Sequence, residues 1–557
     1  MDINIRVAGE AGQGVQTTGN LLVGAMAKLG LHVVAVKSYM SRVRGGLNWF
    51  DIRIGDRELH AGRETADLLV TLTDEARDVL GGEAAGGLVL HDADEAEGAV
   101  PMPFTRIARE TAESAVMANS VAAGAVFAAC GYDLGALSAY IGSQFGGKGE
   151  EVIEKNVACA RRGAELAMEK GLKVSAPRPA GAPSTVVDGS SAIGLAAAAG
   201  GVKVVTAYPM TPGTATFTFL AGVADKYGIV VEQAEDEIAA VNMLCGASYA
   251  GAPALATTSG GGFALMAEGV SLAGIMELPI VIVVAQRPGP ATGLPTRTGQ
   301  QDLLFAVHAG HGEFPKAVFA PGTVRQSYDL TRRALEQAHA WQSPVILLTD
   351  QFLQDLHVNA EPFDEAYRPI DRRLARDAGG DYRRYAVTDS GVSPRAAPGG
   401  EAFVVSDSDE HTDAGRISED LIGHISQQEK RMRKLDGLRA EALPPELHGP
   451  ADAPTLLICW GSTYGPCREA VDRLNDRGDG PVAMVHVAQP WPLDADAFRE
   501  RLGRRERVVC VEGNATGQLA TLLRAEGVLG DVERLLRYDG MPFTAEYIMD
   551  KLAEASS

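Results

Sequence analysis

The sequence predicts an α/β fold made of three consecutive α/β domains with mainly parallel sheets. Short apolar runs alternate with amphipathic, helix-sized segments along most of the chain. Each intervening segment is long enough for a crossover, which parallel neighbouring strands require. With 557 residues, of which 46% are apolar, the chain is also too long for one domain of ordinary size.

The stretch from Val202 to Arg297 shows this alternation most clearly. Its apolar runs are VKVVTAYPMTPGT, IVVEQAEDE, ALATTSGGGF and PIVIVVAQRPGPATGLPTRTGQ, with helices inferred between them. Because the carboxyl ends of parallel strands open on one rim of a sheet, we expect a ligand to bind there. The residues that would collect on this rim are Tyr208, Thr211, Glu235, Asp236, Glu237, Ser259, Gly260, Arg287, Thr296 and Arg297.

A glycine-rich turn follows the first predicted strand, at residues 3–8. The turn GEAGQG leads into a helix-like segment, so backbone N–H groups could approach an anion at the helix N-terminus. Where a dinucleotide-binding domain carries an acid for the ribose, this chain has Lys37, which favours a ligand with several phosphates, such as coenzyme A, over NAD. Alternatively, the turn only allows close packing and the nearby arginines face a partner subunit. The candidate coenzyme A residues are Gly12, Gln13, Gly14, Arg42 and Arg44.

Composition suggests the domain boundaries. Residues 1–175 form one α/β domain, and the Pro- and Ala-rich stretch at 176–186 is a linker. A second α/β domain covers 187–358, and an extended segment at 359–450 with one polar helix wraps over a neighbour. The last α/β domain, at 451–557, has no cluster of acids and bases at its strand ends, so we expect it to pack or dimerise rather than to react.

Charge and cysteine spacing exclude several classes of function. A net charge of -21 argues against nucleic-acid binding. There is no signal-peptide pattern and no run of about 18 apolar residues, so we expect a soluble cytoplasmic protein without membrane contact. The six cysteines form no C-x-x-C pair, so we expect neither an iron–sulfur cluster nor a metal site in this chain.

Several motifs, in a fixed order, resemble those of one enzyme family. They are YPMTP, QAEDEIAAVNMLCGASYAGAPALATTSGGGF, GPATGLPTRTGQQDL, SDEH, EKRMRKL, WGSTYGP and EGNATGQLATLLR, and the first domain adds AGEAGQG and SYMSRVRGG. They resemble the α subunit of 2-oxoacid:ferredoxin oxidoreductases, preceded by the γ subunit in the first 175 residues, as in the fused γ–α form. The departures from the family pattern bear on substrate choice: Met210, Gly213, Thr214, Gly261 and Gly299.

The resemblance implies a function and roles for individual residues. Such enzymes use thiamine diphosphate to decarboxylate a 2-oxoacid and transfer the acyl group to coenzyme A, and the central domain would bind the pyrimidine ring of the cofactor. Glu237 would be the catalytic acid facing this ring, with Pro209, Ser259 and Gly260 nearby. Arg297, with Thr211 and Tyr208, would bind the substrate. Two alternatives remain open: Glu235 and Asp236 as a charged first helical turn, and Arg287 as the substrate clamp or an interface residue.

The resemblance also implies partners. A β subunit would supply the diphosphate site with Mg²⁺ and at least one [4Fe–4S] cluster, in an α2β2 complex that reduces ferredoxin. The fused layout and GLPTRT favour a 2-oxoglutarate or broad 2-oxoacid enzyme, with 2-oxoglutarate as the expected substrate. The alternatives are a pyruvate or indolepyruvate:ferredoxin oxidoreductase subunit and, from another class, a non-catalytic α/β assembly protein.

Overall fold

The structure is a computed structural model that describes residues 1–40, 46–84, 86–360, 363, 367–375, 378–478 and 480–555. The chain forms two compact units. Unit 1 contains Met1–Asp188, Asp355–Phe363 and Thr544–Glu546, and unit 2 contains Gly189–Gln354, Asp364–Phe543 and Tyr547–Ser557. In the described ranges, no helix combines the length and the apolar composition needed to cross a membrane.

The β-strands of the described residues are numbered in chain order. They are β1 (Asp2–Glu10), β2 (His32–Ser38), β3 (Leu47–Gly55), β4 (Leu68–Thr71), β5 (Leu88–His91), β6 (Val100–Pro101), β7 (Thr185–Asp188), β8 (Val204–Ala207), β9 (Val230–Gln233), β10 (Ala254–Thr258), β11 (Val281–Gln286), β12 (Ala317–Phe319), β13 (Val345–Asp350), β14 (His357–Ala360), β15 (Glu446–His448), β16 (Thr455–Trp460), β17 (Val482–Val487), β18 (Arg507–Glu512) and β19 (Glu533–Leu536).

The α-helices are numbered in the same way. They are α1 (Val15–Lys28), α2 (Asp74–Leu80), α3 (Phe104–Ala112), α4 (Ala118–Ala129), α5 (Leu134–Phe145), α6 (Glu150–Glu169), α7 (Gly189–Ala199), α8 (Thr214–Tyr227), α9 (Glu237–Tyr249), α10 (Gly260–Ile275), α11 (Leu303–His308), α12 (Val324–Trp341), α13 (Gln351–Asp355), α14 (Leu421–Ala440), α15 (Tyr464–Arg477), α16 (Ala495–Leu502), α17 (Gln518–Ala525) and α18 (Ala545–Glu554).

Unit 1 is built on an eight-stranded mixed sheet with the order β6-β5-β4-β1-β3-β2-β14-β7. The strands on one side of β1 are parallel to one another, and those on the other side pair antiparallel. Two of the antiparallel strands, β14 and β7, lie outside residues 1–175. The sheet of the first unit therefore continues into the predicted linker and beyond the predicted second domain.

Unit 2 contains two sheets. The six-stranded sheet has the order β12-β13-β11-β10-β8-β9 and is parallel throughout. The five-stranded sheet has the order β15-β17-β16-β18-β19, with only its edge strand β15 antiparallel. One continuous cluster of buried side chains includes Ile282 and Val284 of β11 together with Ile458 of β16 and Val485 of β17. The predicted α/β class with mainly parallel sheets is confirmed.

The polar helix α14 is held on the six-stranded half of unit 2 by a buried ionic cluster. Lys430 donates to Glu277 over 2.6 Å, Lys434 binds the other oxygen of the same carboxylate, and all three side chains are buried. Burial raises the pKa of Glu277, but the charges of the two lysines outweigh this effect and bring the value down to about 2. Arg384 also donates to the carbonyl of Glu277 at 2.8 Å, next to the end of α10.

Candidate functional site

The candidate site lies at the carboxyl-terminal edge of the six-stranded sheet of unit 2. Strands β9, β8, β10 and β11 are adjacent and parallel, so the residues that follow them meet at one edge. These residues are Tyr208, Pro209 and Thr211 after β8, Glu235, Asp236 and Glu237 after β9, Ser259 and Gly260 after β10, and Arg287 after β11.

The three acids after β9 have different environments. Asp236 is the N-cap of α9, where its carboxylate accepts the backbone N–H of Ala239 at 2.7 Å, and Glu235 is exposed. Glu237, the first residue of the helix, is only 2% exposed, and its Oε1 has no hydrogen-bond partner among the described residues. Burial raises the pKa of Glu237, and Asp236 adds to this effect while Arg287 opposes it. The capping function therefore belongs to Asp236, which leaves Glu237 for another role.

The glycines at the start of α10 make room for Glu237. A Cβ on Gly262 would lie 2.5 Å from Glu237 Oε1 and 2.2 Å from Thr258 Oγ1, so a larger residue at 262 would displace the carboxylate. Ser259 is the N-cap of this helix, yet its side chain makes no capping bond, and its buried Oγ has no partner in the part of the chain described. Two buried oxygen atoms without partners thus lie beside the same helix terminus.

Arg287 binds the loop after β8 and interacts with Glu237 through its charge. Its Nη1 donates to the backbone carbonyl of Thr211 at 2.7 Å. Burial lowers the pKa of Arg287, and the negative charges of Asp302 and Glu237 oppose this shift. Tyr208, on the same loop as Thr211, is 40% exposed, and Pro209 is exposed as well. The structure therefore brings together Glu237, Arg287 and the loop that contains Thr211.

Arg297 lies at the other end of the loop that begins with Arg287. Its backbone N–H donates to Leu294 at 3.2 Å, and its Cβ would be 3.1 Å from a Cβ built on Gly540. Burial lowers the pKa of Arg297, and the adjacent Thr296 is buried. The predicted clamp thus lies beside Gly540 of the last α/β domain.

Asp302 also lies beside the candidate site, although it is not among the residues predicted from the sequence. It is half-buried, its backbone N–H donates to Gln286 Oε1 at 2.9 Å, and a Cβ on Gly260 would be 2.2 Å from its Oδ2. Burial raises the pKa of Asp302 to about 6, although Arg287 opposes the shift. Its position in the sequence is a signal that could have indicated it: Asp302 follows TRTGQ by two residues and is the last residue of the loop that contains Arg297.

The glycine-rich turn lies in unit 1, between β1 and α1. Gly12 and Gly14 have positive φ angles of 93° and 84°. A Cβ on Gly14 would collide with the side chain of Asn119 at 2.2 Å, whereas no described atom lies within 4 Å of a Cβ on Gly12. Gln13 accepts the backbone N–H of Glu10 through Oε1 at 3.1 Å. Close packing accounts for Gly14 but not for Gly12, and the candidates Arg42 and Arg44 lie outside the described residues.

The rim fits the aminopyrimidine of thiamine diphosphate in its chemistry. A ring with both hydrogen-bond donors and acceptors can satisfy the unpartnered Glu237 Oε1 and Ser259 Oγ, and buried polar atoms in proteins rarely stay without partners. A metal-ligand set is not found there: in the described parts of the chain, no three His, Cys, Asp or Glu side chains are grouped to hold an ion.

Two family models match the chain. The model described as pyruvate flavodoxin/ferredoxin oxidoreductase, thiamine diphosphate-binding, matches residues 195–431, which include the rim and α14. The model described as pyruvate ferredoxin/flavodoxin oxidoreductase matches residues 4–166 in unit 1.

Individual proteins match over nearly their whole length. The 2-oxoacid:ferredoxin oxidoreductase 2, subunit alpha, of Aeropyrum pernix is 31% identical over 97% of this chain and 96% of its own. The 2-oxoglutarate oxidoreductase subunit KorA of Mycobacterium tuberculosis is also 31% identical, over 98% of this chain and 90% of its own.

A solved structure has the same fold over the full length. It is the 2-oxoglutarate:ferredoxin oxidoreductase of Magnetococcus marinus with 2-oxoglutarate, coenzyme A and succinyl-CoA bound. It is 32% identical to this chain, with a TM-score of 0.90, and the match covers 100% of both chains. The resemblance inferred from the motifs is confirmed, and the chain belongs to the 2-oxoacid:ferredoxin oxidoreductases as a subunit of the alpha type.

Proposed function

We propose that this chain is the fused γ–α subunit of a thiamine diphosphate-dependent 2-oxoglutarate:ferredoxin oxidoreductase. The reaction converts 2-oxoglutarate and coenzyme A to succinyl-CoA and CO2, and the two electrons released pass to two molecules of oxidised ferredoxin. The observation that carries the proposal is the buried carboxylate of Glu237 at the sheet rim, whose Oε1 has no hydrogen-bond partner among the described residues. Its support is the similarity over the full length to an enzyme solved with these substrates bound.

Glu237 has the catalytic role in this proposal. When bound, thiamine diphosphate supplies a nucleophilic carbon that attacks the ketone of the 2-oxoacid and accepts the electrons left by CO2. Glu237 Oε1 holds the proton shared with a ring nitrogen of the pyrimidine and so favours the tautomer that acts as the base. Its raised pKa suits this role, because the carboxyl group then holds a proton more readily at neutral pH. Pro209, Ser259 and Gly260 bind the same ring.

Arg297 binds the substrate carboxylate, because a planar guanidinium offers two parallel donors to a carboxylate. Thr211 and Tyr208 complete this part of the site with their hydroxyl groups. Arg287 has a different role, since it holds the carbonyl of Thr211 and so fixes the loop after β8 next to Glu237.

Coenzyme A binds to unit 1 at the glycine-rich turn. The open space around Gly12 allows a phosphate to approach the backbone, and Gln13 and Gly14 shape the turn. Arg42 and Arg44 supply positive charge for the remaining phosphates.

The proposed complex requires a second subunit, and ferredoxin accepts its electrons. A β subunit supplies the residues for the diphosphate and Mg²⁺ and at least one [4Fe–4S] cluster, since the six cysteines of this chain are all buried and its described residues offer no metal-ligand group. We propose an α2β2 assembly in the cytoplasm, with ferredoxin as the electron acceptor.

The proposal is tested by co-expressing the chain with its partner subunit and identifying the product. We expect viologen reduction that requires coenzyme A and is fastest with 2-oxoglutarate, with succinyl-CoA detected by mass spectrometry. A preference for pyruvate or indolepyruvate would change the substrate but keep the reaction. No reduction with any 2-oxoacid would favour the non-catalytic assembly protein.

A further inference from the structure

Two motifs of the last α/β domain have no role in the function proposed above. WGST lies at the carboxyl end of β16 and EGN at the carboxyl end of β18, and these strands are parallel neighbours. The two loops therefore open side by side on one edge of the five-stranded sheet. Both belong to unit 2, as does the rim that carries Glu237 and Arg287.

Gln300, three residues after Arg297, inserts between these loops. Its Nε2 donates to the carbonyl of Trp460 at 2.7 Å, and its Oε1 accepts the backbone N–H of Gly513 at 2.7 Å. Its backbone N–H donates to the carbonyl of Gly513 at 2.7 Å, and its own carbonyl accepts from Asn514 Nδ2 at 3.0 Å. The residue is 2% exposed. We call the receiving residues Trp460, Gly461, Gly513 and Asn514 the Gln300 socket.

The shape of the socket depends on its glycines. Gly461 has a positive φ of 55°, and a Cβ there would be 2.8 Å from Gln300 Nε2. A Cβ on Gly513 would be 3.2 Å from Gln300 Cγ. A larger side chain at either position would clash with the side chain of Gln300. The two glycines therefore allow Gln300 to pack closely between the loops.

A buried acid supports the socket from behind. The carboxylate of Glu512 accepts the indole N–H of Trp460 at 3.3 Å and the amide of Asn514 at 3.0 Å. It also accepts the backbone N–H groups of Leu519 at 2.7 Å and Ala520 at 3.1 Å, at the start of α17. These bonds all join groups of the last domain, so the residues around the socket are held by that domain as well as by Gln300.

Further contacts hold the loop on both sides of Gln300. The backbone N–H of Thr298 donates to the carbonyl of Gly540 at 3.2 Å, beside the Cβ of Arg297. After Gln300, the side chain of Gln518 accepts the N–H of Leu304 at 3.0 Å and donates to the carbonyl of Gln301 at 2.6 Å. The chain immediately next to Arg297 thus rests on the last α/β domain.

We propose that the Gln300 socket positions Arg297, so that the last α/β domain sets the affinity of the site for the 2-oxoacid. Arg297 lies on a loop rather than on a strand or helix, and a carboxylate clamp must be held to within about 0.5 Å to work. Gln300 is a positioning residue, since it acts through Arg297. The proposal rests on the proposed substrate role of Arg297.

The test uses the complex of this chain with its partner subunit. Gln300→Met keeps the size of the side chain but removes the amide, and Gln300→Asn keeps the amide but is too short to reach both sides of the socket. Gln489→Met is the matched control, because Gln489 is equally buried and joins backbone groups of Leu443 and Pro492 away from the loop. The readouts are steady-state kinetics and hydrogen exchange of peptides covering residues 288–302.

With Gln300→Met, we expect the KM for 2-oxoglutarate to rise about tenfold or more, while the KM for coenzyme A changes less than twofold. Amide exchange in 288–302 should accelerate by a similar factor, and Gln300→Asn should show a smaller change in the same direction. In an Arg297→Ala background, Gln300→Met should raise the KM no further. Gln489→Met should leave both readouts unchanged.

Three outcomes would overturn the proposal. Unchanged exchange and KM in both Gln300 variants would show that the socket does not hold the loop. Additive effects of Gln300→Met and Arg297→Ala would show that Gln300 acts by another route. An Arg297→Ala variant with a wild-type KM would refute the substrate role of Arg297. If loop exchange were still faster in Gln300→Met, the socket would hold the loop as proposed, and the proposed role of Arg297 would be the part that failed.

Discussion

Replacing Glu237 by glutamine should reduce activity strongly while leaving the stability of the fold almost unchanged. Glutamine has the same size, but it cannot hold the proton that we assign to Oε1. Folding should barely change: the capping bond of α9 belongs to Asp236, and a carboxylate in a first helical turn contributes only about 0.3–1 kcal/mol through the helix dipole. Because burial already raises the pKa of Glu237, losing the charge also removes a desolvation cost.

Activity should fall much further than stability. Loss of a general acid–base group typically costs about 10²–10⁴-fold, and 10²-fold corresponds to ~2.7 kcal/mol in the activation free energy. We expect the Glu237→Gln complex to bind thiamine diphosphate, with turnover and exchange of the cofactor C2 proton both reduced by about 10²-fold or more. NMR in deuterated buffer measures the exchange, and isothermal titration measures the binding.

Asp236→Asn and Glu235→Gln are the controls for this experiment. Asparagine is as good an N-cap as aspartate, so the first control removes a charge next to Glu237 and leaves the helix intact. Both controls should change C2-proton exchange far less than Glu237→Gln does. Exchange at the wild-type rate in Glu237→Gln would refute the reasoning and leave Glu235 as the next candidate for the activating acid.

Three further predictions concern the surroundings of the site. Gly262→Ala should destabilise the fold by about 1–3 kcal/mol and weaken thiamine diphosphate binding to the complex, because its Cβ would be 2.5 Å from Glu237 Oε1. Gly261→Ala is the control, because its Cβ would lie 3.6 Å from its nearest neighbour, the carbonyl oxygen of Ala291. Equal behaviour of the two variants would contradict this prediction. Burial raises the pKa of Asp302 from 3.8 to about 6, so the folded state binds this proton more tightly and wild-type stability is lost as the pH rises through that range. The free energy of unfolding of Asp302→Asn should therefore exceed that of wild type by up to ~3 kcal/mol above pH 7 and equal it below pH 4, as followed by thermal scans. A constant advantage at all pH values would refute this. Glu277→Gln leaves two buried lysines without an acid and should cost about 3–5 kcal/mol in denaturant unfolding, with earlier proteolysis around α14; wild-type resistance to protease would contradict the anchoring role.

The sequence predicts which residues follow the parallel strands of the central sheet, but it does not predict the contacts between distant segments. Glu237 is predictable because strands separated by helix-sized segments must be parallel, and parallel strands end on one edge. The sequence pattern alone does not separate Asp236 from Glu237, since both are acids at the start of a helix; the capping bond of Asp236 and the packing of Gly262 against Glu237 distinguish them in the structure. Asp302 is missed for a related reason, because the sequence does not show that the loop turns back towards Gly260.

Long-range pairing explains the other differences. Strands β7 and β14 have four residues each, which is too short for a periodic pattern, and β14 pairs with β2, which lies far earlier in the chain. The Gln300 socket is formed by uncharged residues and backbone groups at the ends of two strands. Such groups show no cluster of acids or bases in the sequence, so the pattern of the last domain predicts only packing or dimerisation.

The most direct test of the central claim, that this chain contributes one part of a shared thiamine site, is to mix the separately purified subunits. We predict that the isolated chain is colourless, binds thiamine diphosphate weakly and reduces no viologen with 2-oxoglutarate and coenzyme A. Activity should appear when the partner subunit is added and should saturate at equal amounts of the two chains. An isolated chain that is brown and active, or a mixture that stays inactive at every ratio, would contradict the claim of a shared site.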